Sequence, residues 1–430
     1  MAAWYNTLMI LHLDLDCFFA AAHRINNPHL NNIPIAVGSR SNLSIFEKAT
    51  QKNILSKVNG AFTSSIVCAS ETSKTFEEYF LDENKKIRGI ITTSSYEARA
   101  FGVKTAMSVA QALQLCPGLV VLPPNYPLYH TLSHQLRQLL EKEVPTLEQF
   151  SIDEFFCDIS GWVEEKELYE FALKLQKKVA KQLGLPVSIG SAQTKWIAKL
   201  ATNDAKPNGI KIVKKEEVAN YIQNKPVGSF CGIGKQYEKK LLQHGITTLG
   251  KVKENKKIFE SWGKFGKVMY SRILGKDNER VVFKKLPSKS IGLGRSFDPI
   301  YERNELKRRA AVLCRHLSFL ALKHNYNPTT ALLVVRYQYG ETTKGSHHSQ
   351  DILNEQHLKA TIAKLFTQID NHPSHGVIQI NITLSNFIKN PNTFNLFTLT
   401  KKQKEKQLNN SIQKLREKFG VDIIKGGSEL

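Results

Sequence analysis

The chain has no pair of cysteines close enough in sequence to clip a zinc ion or declare a disulfide framework; its six stand scattered at positions 17, 68, 116, 157, 231 and 314. They read as reduced, mostly buried thiols. It has no apolar run long enough to span a bilayer. The apolar stretch Leu8–Leu15 is interrupted by Asp14 and is followed by Asp16, with no small-residue cleavage site after it, so a signal peptide is not expected and a cytoplasmic protein is. No repeat of the solenoid kind recurs along the chain. Acids are in short supply: 38 Asp and Glu face 60 Lys and Arg, a formal charge of +22. Such an excess attracts polyanions and speeds encounter with them, which makes nucleic acid the leading partner. Composition alone leaves acidic lipid, or a generic basic protein, as alternatives.

What is present fits a globular protein of more than one domain. At 430 residues, 41% of them hydrophobic and 9% aromatic, the chain can bury sizeable cores, and it exceeds what a single core usually serves. Leu8–Leu15 has the length and character of a buried strand, and the Ala-rich Phe18–Arg24 opens a helix. Pro34–Gly38 and Gly89–Thr93 read as strands around a polar stretch, 39–88. Helices are expected at Tyr96–Phe101, Ser108–Leu115 and Tyr126–Val144, the last stopped by Pro145. Leu147–Ile159 reads as a hairpin with Asp153 and Glu154 at its bend. Helix Trp162–Leu183, strand Pro186–Gly190, helix Lys195–Thr202 and strand Gly209–Val213 follow. The alternation suits an α/β or α+β core.

A boundary is placed near Glu216, where the texture turns Lys-rich, Gly-punctuated and helical as far as Lys285. A second pattern then begins: a strand to Phe297, a helix from Asn304 to His324, strands from Thr329 to Tyr339 and near Ser349, a helix from Asn354 to Asp370 and a strand from Val377 to Phe387. That βαββαβ order predicts one sheet backed by two helices. The tail after Asn390 holds one more amphipathic helix, Lys402–Phe419.

Asp14, at the end of the first strand, and the adjacent Asp153 and Glu154 are the acids best suited to chemistry. Hard divalent cations prefer oxygen ligands, and phosphoryl transfer can proceed with two such ions about 4 Å apart clamping the attacking and leaving oxygens. The plain alternative is that Asp14 and Asp16 end a strand and that Asp153 and Glu154 are solvated turn residues.

Five segments decide between these readings. LDLDCFFA at Leu13–Ala20, SYEARAFGV at Ser95–Val103, Met107–Pro117, SIDE at Ser151–Glu154 and AKPNG at Ala205–Gly209 stand in one order over the first two hundred residues. In that order they resemble the Y-family translesion DNA polymerases of the polymerase IV and DinB/UmuC type, and the resemblance continues less specifically to about residue 390. It implies an α+β right-hand fold with these parts: a βαββαβ palm in 1–215 with fingers inserted at about 25–105, a helix-hairpin-helix thumb in 216–286 and a βαββαβ little finger in 287–390. It implies that Asp14, Asp153 and Glu154, helped by the Leu15 carbonyl, hold two Mg²⁺ ions, with Mn²⁺ as a substitute. Asp16 is not a ligand in that family.

The same resemblance assigns the incoming nucleotide to Tyr96, Arg99 and Lys206, where Arg offers a bidentate fork and Lys a point charge. Phe18 and Phe19 line that site, with Phe19 the steric gate beneath the sugar. Gly232-Ile233-Gly234 and Lys235 resemble a hairpin that offers amides to DNA phosphates. Lys289, Arg295 and Arg336, with Lys307, Arg308 and Arg309, supply charge to the DNA-gripping domain. Thr393-Phe394-Asn395-Leu396-Phe397 stands where relatives carry a sliding-clamp motif, with Thr393 in place of the usual Gln; Phe394, Leu396 and Phe397 would fill the groove. The partners implied are primer-template DNA, deoxynucleoside triphosphates, the clamp and a damage-response accessory protein, for a monomer off the membrane. The polar segment 40–85 is longer than the family's and is expected to enlarge or decorate the fingers. Two rivals stand beside this reading, a catalytically silent DNA-docking subunit and a metal-dependent nuclease built on the same hairpin.

Overall fold

The structure, a computed structural model, describes residues 8–46, 74–283, 288–388 and 399–429, with side chains of the last stretch from 407 onward. The chain divides into two compact units, one from Met1–Gly38 and Thr72–Lys285, the other from Ser39–Glu71 and Leu286–Leu430. The fold is α+β throughout.

In the first unit, β1 (Ile10–Leu15) and α1 (Phe18–Asn26) follow the sequence reading. Next come β2 (Ile35–Ser39), α2 (Phe76–Phe80), β3 (Ile90–Ser94), α3 (Tyr96–Ala100), α4 (Val109–Leu115) and β4 (Val120–Leu122). These strands make a small sheet ordered β3-β2-β4, with β2 and β4 parallel. Neither β4 nor α2 is legible in the sequence, because both are shorter than a periodicity needs. Next, α5 (Tyr126–Glu143) ends at an extended Val144, as the residue before Pro145 must. Strands β5 (Thr146–Gln149) and β6 (Glu154–Asp158) form the expected antiparallel hairpin. Then α6 (Leu168–Leu183), β7 (Val187–Ala192), α7 (Lys195–Ala205) and β8 (Ile210–Ile212) complete a five-stranded sheet ordered β5-β6-β1-β7-β8.

β1 is apolar along most of its length because it is central and covered on both faces. Alternation sends Leu11, Leu13 and Leu15 to the core shared with α5 and α6. Ile10 faces α7, and His12 bonds Thr202 on that helix. α7 lies close because β7 carries Gly190 beneath it: a Cβ there would meet Ala198 O and Thr202 N, each at 2.3 Å. The helices α8 (Val218–Gln223), α9 (Lys235–Gln243), α10 (Lys256–Ser261) and α11 (Gly263–Ile273) follow, and their core runs without a break into the α7 face of the large sheet. Glu279 continues that union, accepting from Trp196 and Arg272 while Arg272 stacks over the Trp196 ring.

In the second unit, β9 (Ser290–Ile300), α12 (Arg303–Lys323), β10 (Pro328–Tyr337), β11 (Thr342–His348), α13 (Glu355–Ile369) and β12 (Val377–Phe387) reproduce the expected βαββαβ order. All pairings are antiparallel in the order β11-β10-β12-β9. The strand expected near Ser349 ends one residue before it. The tail helix α14 (Leu399–Phe419) begins slightly earlier than expected, and the segment after it reaches α12, where Glu429 and Asp422 meet Arg315.

The polar insertion does not simply enlarge the fingers. Ile45 and Phe46 enter the core of the second unit, and the Asn42 carbonyl accepts from Arg295. Apolar side chains need an apolar surface to leave water, and the core that includes α12 and β9 supplies it for Ile45 and Phe46. Phe76 and Phe80, at the other end of the insertion, return to the core of the small sheet. Residues 47–73 lie outside the described residues.

Candidate active site

Register brings the acids together. β1 pairs with β6 so that Asp14 stands opposite Glu154, and His12 opposite Phe156. The Leu15 amide donates to the Asp153 carbonyl at 3.1 Å, which closes the bend of the hairpin onto the end of β1. Asp14 and Glu154, 140 residues apart in the chain, thus become neighbours because one antiparallel register is allowed when the alternate residues are buried.

The carboxyls are crowded and nearly dry. Asp14 is 5% exposed. Burial pushes its carboxyl up to about 6, the Glu154 carboxylate pushes the same way, and the Lys206 ammonium opposes both. Asp153 is also raised, chiefly by burial and further by Asp14, against a hydrogen bond from Ser151. Ammonium groups supply the missing countercharge: Lys206 Nζ stands 2.7 Å from Asp14 Oδ1, and Lys199 on α7 pairs with the Glu154 carboxylate. His12, 4.0 Å from Glu154, is held well below the usual imidazole range by burial and by Lys199.

As the side chains stand, no three His, Cys, Asp or Glu groups among the described residues form a ready metal cluster, because Glu154 turns to Lys199 and Asp14 to Lys206. The donor set nevertheless fits a hard divalent cation: carboxylate oxygens gathered at one strand end, two of them on Asp14 and Asp153 whose protons burial holds more tightly. Lys199 and Lys195 were not legible as site residues. The available signal was two lysines four apart in the otherwise apolar first half of a helix, both of which prove buried, with Lys195 paired to Glu148.

Of the nucleotide candidates, Lys206 meets Asp14 directly and Tyr96 bonds the neighbouring Asp16. The Tyr96 hydroxyl donates to Asp16 at 3.1 Å, and the Arg99 guanidinium lies 4.7 Å above the Tyr96 ring while its Nε donates to the Ser94 carbonyl. Phe19 is half-buried, its ring stacked on Tyr129 at 4.1 Å, so one edge remains available. Phe18 is different: at 2% exposed it is a core side chain, and the expectation that it lines the nucleotide site does not fit its position. The helix preference that places Phe19 toward the opening turns its neighbour inward.

Gly232 adopts φ +100, which a Cβ disfavours, and leads through buried Ile233 to Gly234, the N-cap of α9. The first amides of α9, with exposed Lys235, form an uncapped helix start of the kind that accepts phosphate. In the second unit the sheet face away from the helices is polar. Arg336 is exposed there across from Gln379 on β12, and Lys344 on β11 is exposed across from Val334, whose other neighbour is Asn381. Lys289 and Lys307 are exposed as well. Arg295 is not on that face: it registers with buried Ile380 on the helix side and donates to the carbonyls of Asn42 and Gly294. Arg308 and Arg309 are committed to Glu305, and Arg309 also stacks over Phe46 and Phe297. One residue of register separates a solvent-facing arginine from a structural one. The clamp candidates Phe394, Leu396 and Phe397 lie outside the described residues.

Two family models match the chain: the impB/mucB/samB family over residues 13–203 and the impB/mucB/samB family C-terminal domain over residues 288–396. The chain belongs to the impB/mucB/samB family. Its first matched region carries Asp14, Asp153, Glu154, Tyr96 and Arg99, and ends three residues short of Lys206. A protein named DNA polymerase IV from Mannheimia succiniciproducens is 32% identical over 287 residues, 66% of this chain and 68% of that one. One of the same name from Pasteurella multocida is 28% identical over 366 residues, 84% and 90% of the two chains. Among solved structures, a chimeric Y-family DNA polymerase of Dbh and Dpo4 superposes with a TM-score of 0.70 at 21% identity, covering 89% of this chain and all of that one. DinB from Sulfolobus solfataricus gives 0.51 at 20%, covering 89% of this chain and 100% of that one. This impB/mucB/samB member therefore has the Y-family polymerase fold. Among the described residues no helix is long and apolar enough to cross a membrane.

Proposed function

We propose that this family member is a template-directed DNA polymerase of the translesion type, joining the primer 3′-hydroxyl to the α-phosphate of a paired deoxynucleoside triphosphate with release of pyrophosphate. The observation that carries the reading is the register that sets Asp14 against Glu154 with Asp153 bonded at the same strand end. Two Mg²⁺ ions, with Mn²⁺ as substitute, would supply charge neutralisation for the attacking and leaving oxygens. Asp14, Asp153 and Glu154 would hold them, with the Leu15 carbonyl assisting. Lys206 and Arg99 offer a point charge and a planar fork to the triphosphate, and the aromatic ring of Tyr96 supports Arg99. The α9 start and the polar sheet face would grip primer-template DNA through its phosphates.

Primer extension on plain and damaged templates tests this. With nucleotides and Mg²⁺ the polymerase reading expects lengthened primers, and an Asp153→Ala control that stays at the starting length. Shortening in Mg²⁺ alone would mean a nuclease, and an unchanged primer with intact DNA binding would mean a silent docking subunit. The family match and the presence of all three acids favour the first outcome. By the same reading the protein works as a cytoplasmic monomer, with Phe394, Leu396 and Phe397 directed to a sliding clamp and the tail to an accessory protein.

Two further results are expected. Phe19→Ala should raise ribonucleotide incorporation by about tenfold or more, since the ring removes room for a 2′-hydroxyl and discrimination by fit is worth on the order of 1–3 kcal/mol; unchanged sugar selectivity would remove Phe19 from the gate. Arg336→Ala should lower the slope of log binding against log salt by about one unit, as one lost phosphate contact does. The same substitution at Arg295 should leave that slope unchanged, since its guanidinium is bonded to backbone.

A further inference from the structure

The second aspartate of the LDLD segment has no place in the metal chemistry above, yet it is among the most constrained polar residues of the molecule. Asp16 is 1% exposed and accepts from three segments at once. Ser188 Oγ on β7 reaches both of its oxygens, at 3.0 and 2.9 Å. The Asn208 amide donates to Oδ2 at 2.7 Å, two residues beyond Lys206. The Tyr96 hydroxyl donates to Oδ1 at 3.1 Å from the first position of α3. Its own amide donates to the Pro186 carbonyl at 3.0 Å, which anchors the whole assembly to the sheet.

We propose that Asp16 is the positioning residue of the triphosphate grip: it ties the loop bearing Lys206 and the helix start bearing Tyr96 and Arg99 to the end of β1. The inference rests on the polymerase reading and deepens it. A buried carboxylate needs its acceptor sites filled, and these donors fill them. Both oxygens are thereby engaged by neutral donors, which separates Asp16 from Asp14 two residues earlier, whose Oδ1 meets the Lys206 ammonium. The single hydroxyl proton of Tyr96 is committed to Asp16, so the ring is fixed in orientation as the platform under Arg99. The two segments, bearing Lys206 and Tyr96 with Arg99, are distant in sequence, and the Asp16 side chain touches both the AKPNG loop and Tyr96.

Asp16→Asn is nearly isosteric but places an amide donor where Asp16 meets only donors, one of which, the Asn208 N–H, cannot turn round. Nucleotide affinity is read by titrating a deoxynucleoside triphosphate onto the protein bound to a primer-template with a dideoxy-terminated primer, so that no turnover intervenes. The expected result is about tenfold weaker nucleotide binding, a loss of the size one good polar contact carries, with Mn²⁺ binding in the absence of nucleotide unchanged. Ser188→Ala, which removes a donor to Asp16 without touching any nucleotide group, should weaken nucleotide binding about threefold and keeps the test open should the first variant fail to fold. Unchanged nucleotide affinity in both variants would overturn the assignment. So would loss of Mn²⁺ binding by Asp16→Asn, which would make it a metal ligand. A native chain that binds nucleotide yet never extends a normal primer defeats the polymerase reading and leaves this one standing.

Discussion

Replacing Asp14 by Asn is expected to abolish primer extension and, at the same time, to make the metal-free protein harder to unfold above about pH 6. The first effect follows from losing a carboxylate that anchors the charge-neutralising ions; a loss of about 10³-fold or more is the scale set by removing one preorganised electrostatic group. The second follows from the raised carboxyl, which goes from 3.8 to about 6 on folding. The folded carboxyl holds its proton more tightly than the unfolded one, so stability falls as pH rises through that window, and the penalty is complete above it. Roughly two units correspond to at most about 3 kcal/mol. Lys206, half-buried, loses its partner in the variant and takes back part of that gain. Urea unfolding in EDTA at pH 8 should therefore show the variant about 1–3 kcal/mol more stable, and the difference should shrink as pH falls from about 6 and vanish below about pH 3. Equal stabilities at pH 8 would mean that Lys206 already cancels the strain among the acids.

The other large effect is expected in the second unit, where Arg315→Ala should release the end of the chain. Arg315 is 1% exposed on α12 and pairs with Asp422 and Glu429, while Glu429 also meets Lys359, and Glu355 links Lys359 to Arg416 on the tail helix. Alternating charges in a row are tolerable in a dry place only while each has its neighbour. Removing one member of a buried pair typically costs about 3–5 kcal/mol. Here the tail can escape into water, which holds the loss near about 3 kcal/mol and lowers the melting temperature by roughly 6–12 °C. Amide hydrogen exchange at Val421–Glu429 should rise towards that of an unprotected segment. If exchange there stays slow, Val421 packing and backbone hydrogen bonds suffice to hold the tail.

The acids were legible from the order of five short segments, and the βαββαβ pattern of residues 288–388 from its two periodicities. Less legible were elements too short to show a period, such as Val120–Leu122 and Phe76–Phe80, and every role that depends on a partner. Asp16 and Asp14 are the same residue type two positions apart, so they point to the same face of β1 or its continuation, yet one is saturated by donors and the other crowded by carboxyls. Arg295 and Arg336 both read as basic strand residues that could meet DNA. Their registers against Ile380 and Gln379 send them to opposite faces of one sheet.

By itself, then, the sequence determined where the longer strands and helices lie, that the protein is basic and built from more than one core, and which acids stand at strand ends. Those properties are written in local spacing, where a period of two or of 3.6 suffices. Only the tertiary structure decided that Lys199 and Lys206 neutralise the acids, that Asp16 binds three segments together, and that Ile45 and Phe46 belong to the second unit. Charge pairing and burial act between residues brought together by folding, so their partners have no fixed separation along the chain and leave no spacing to read.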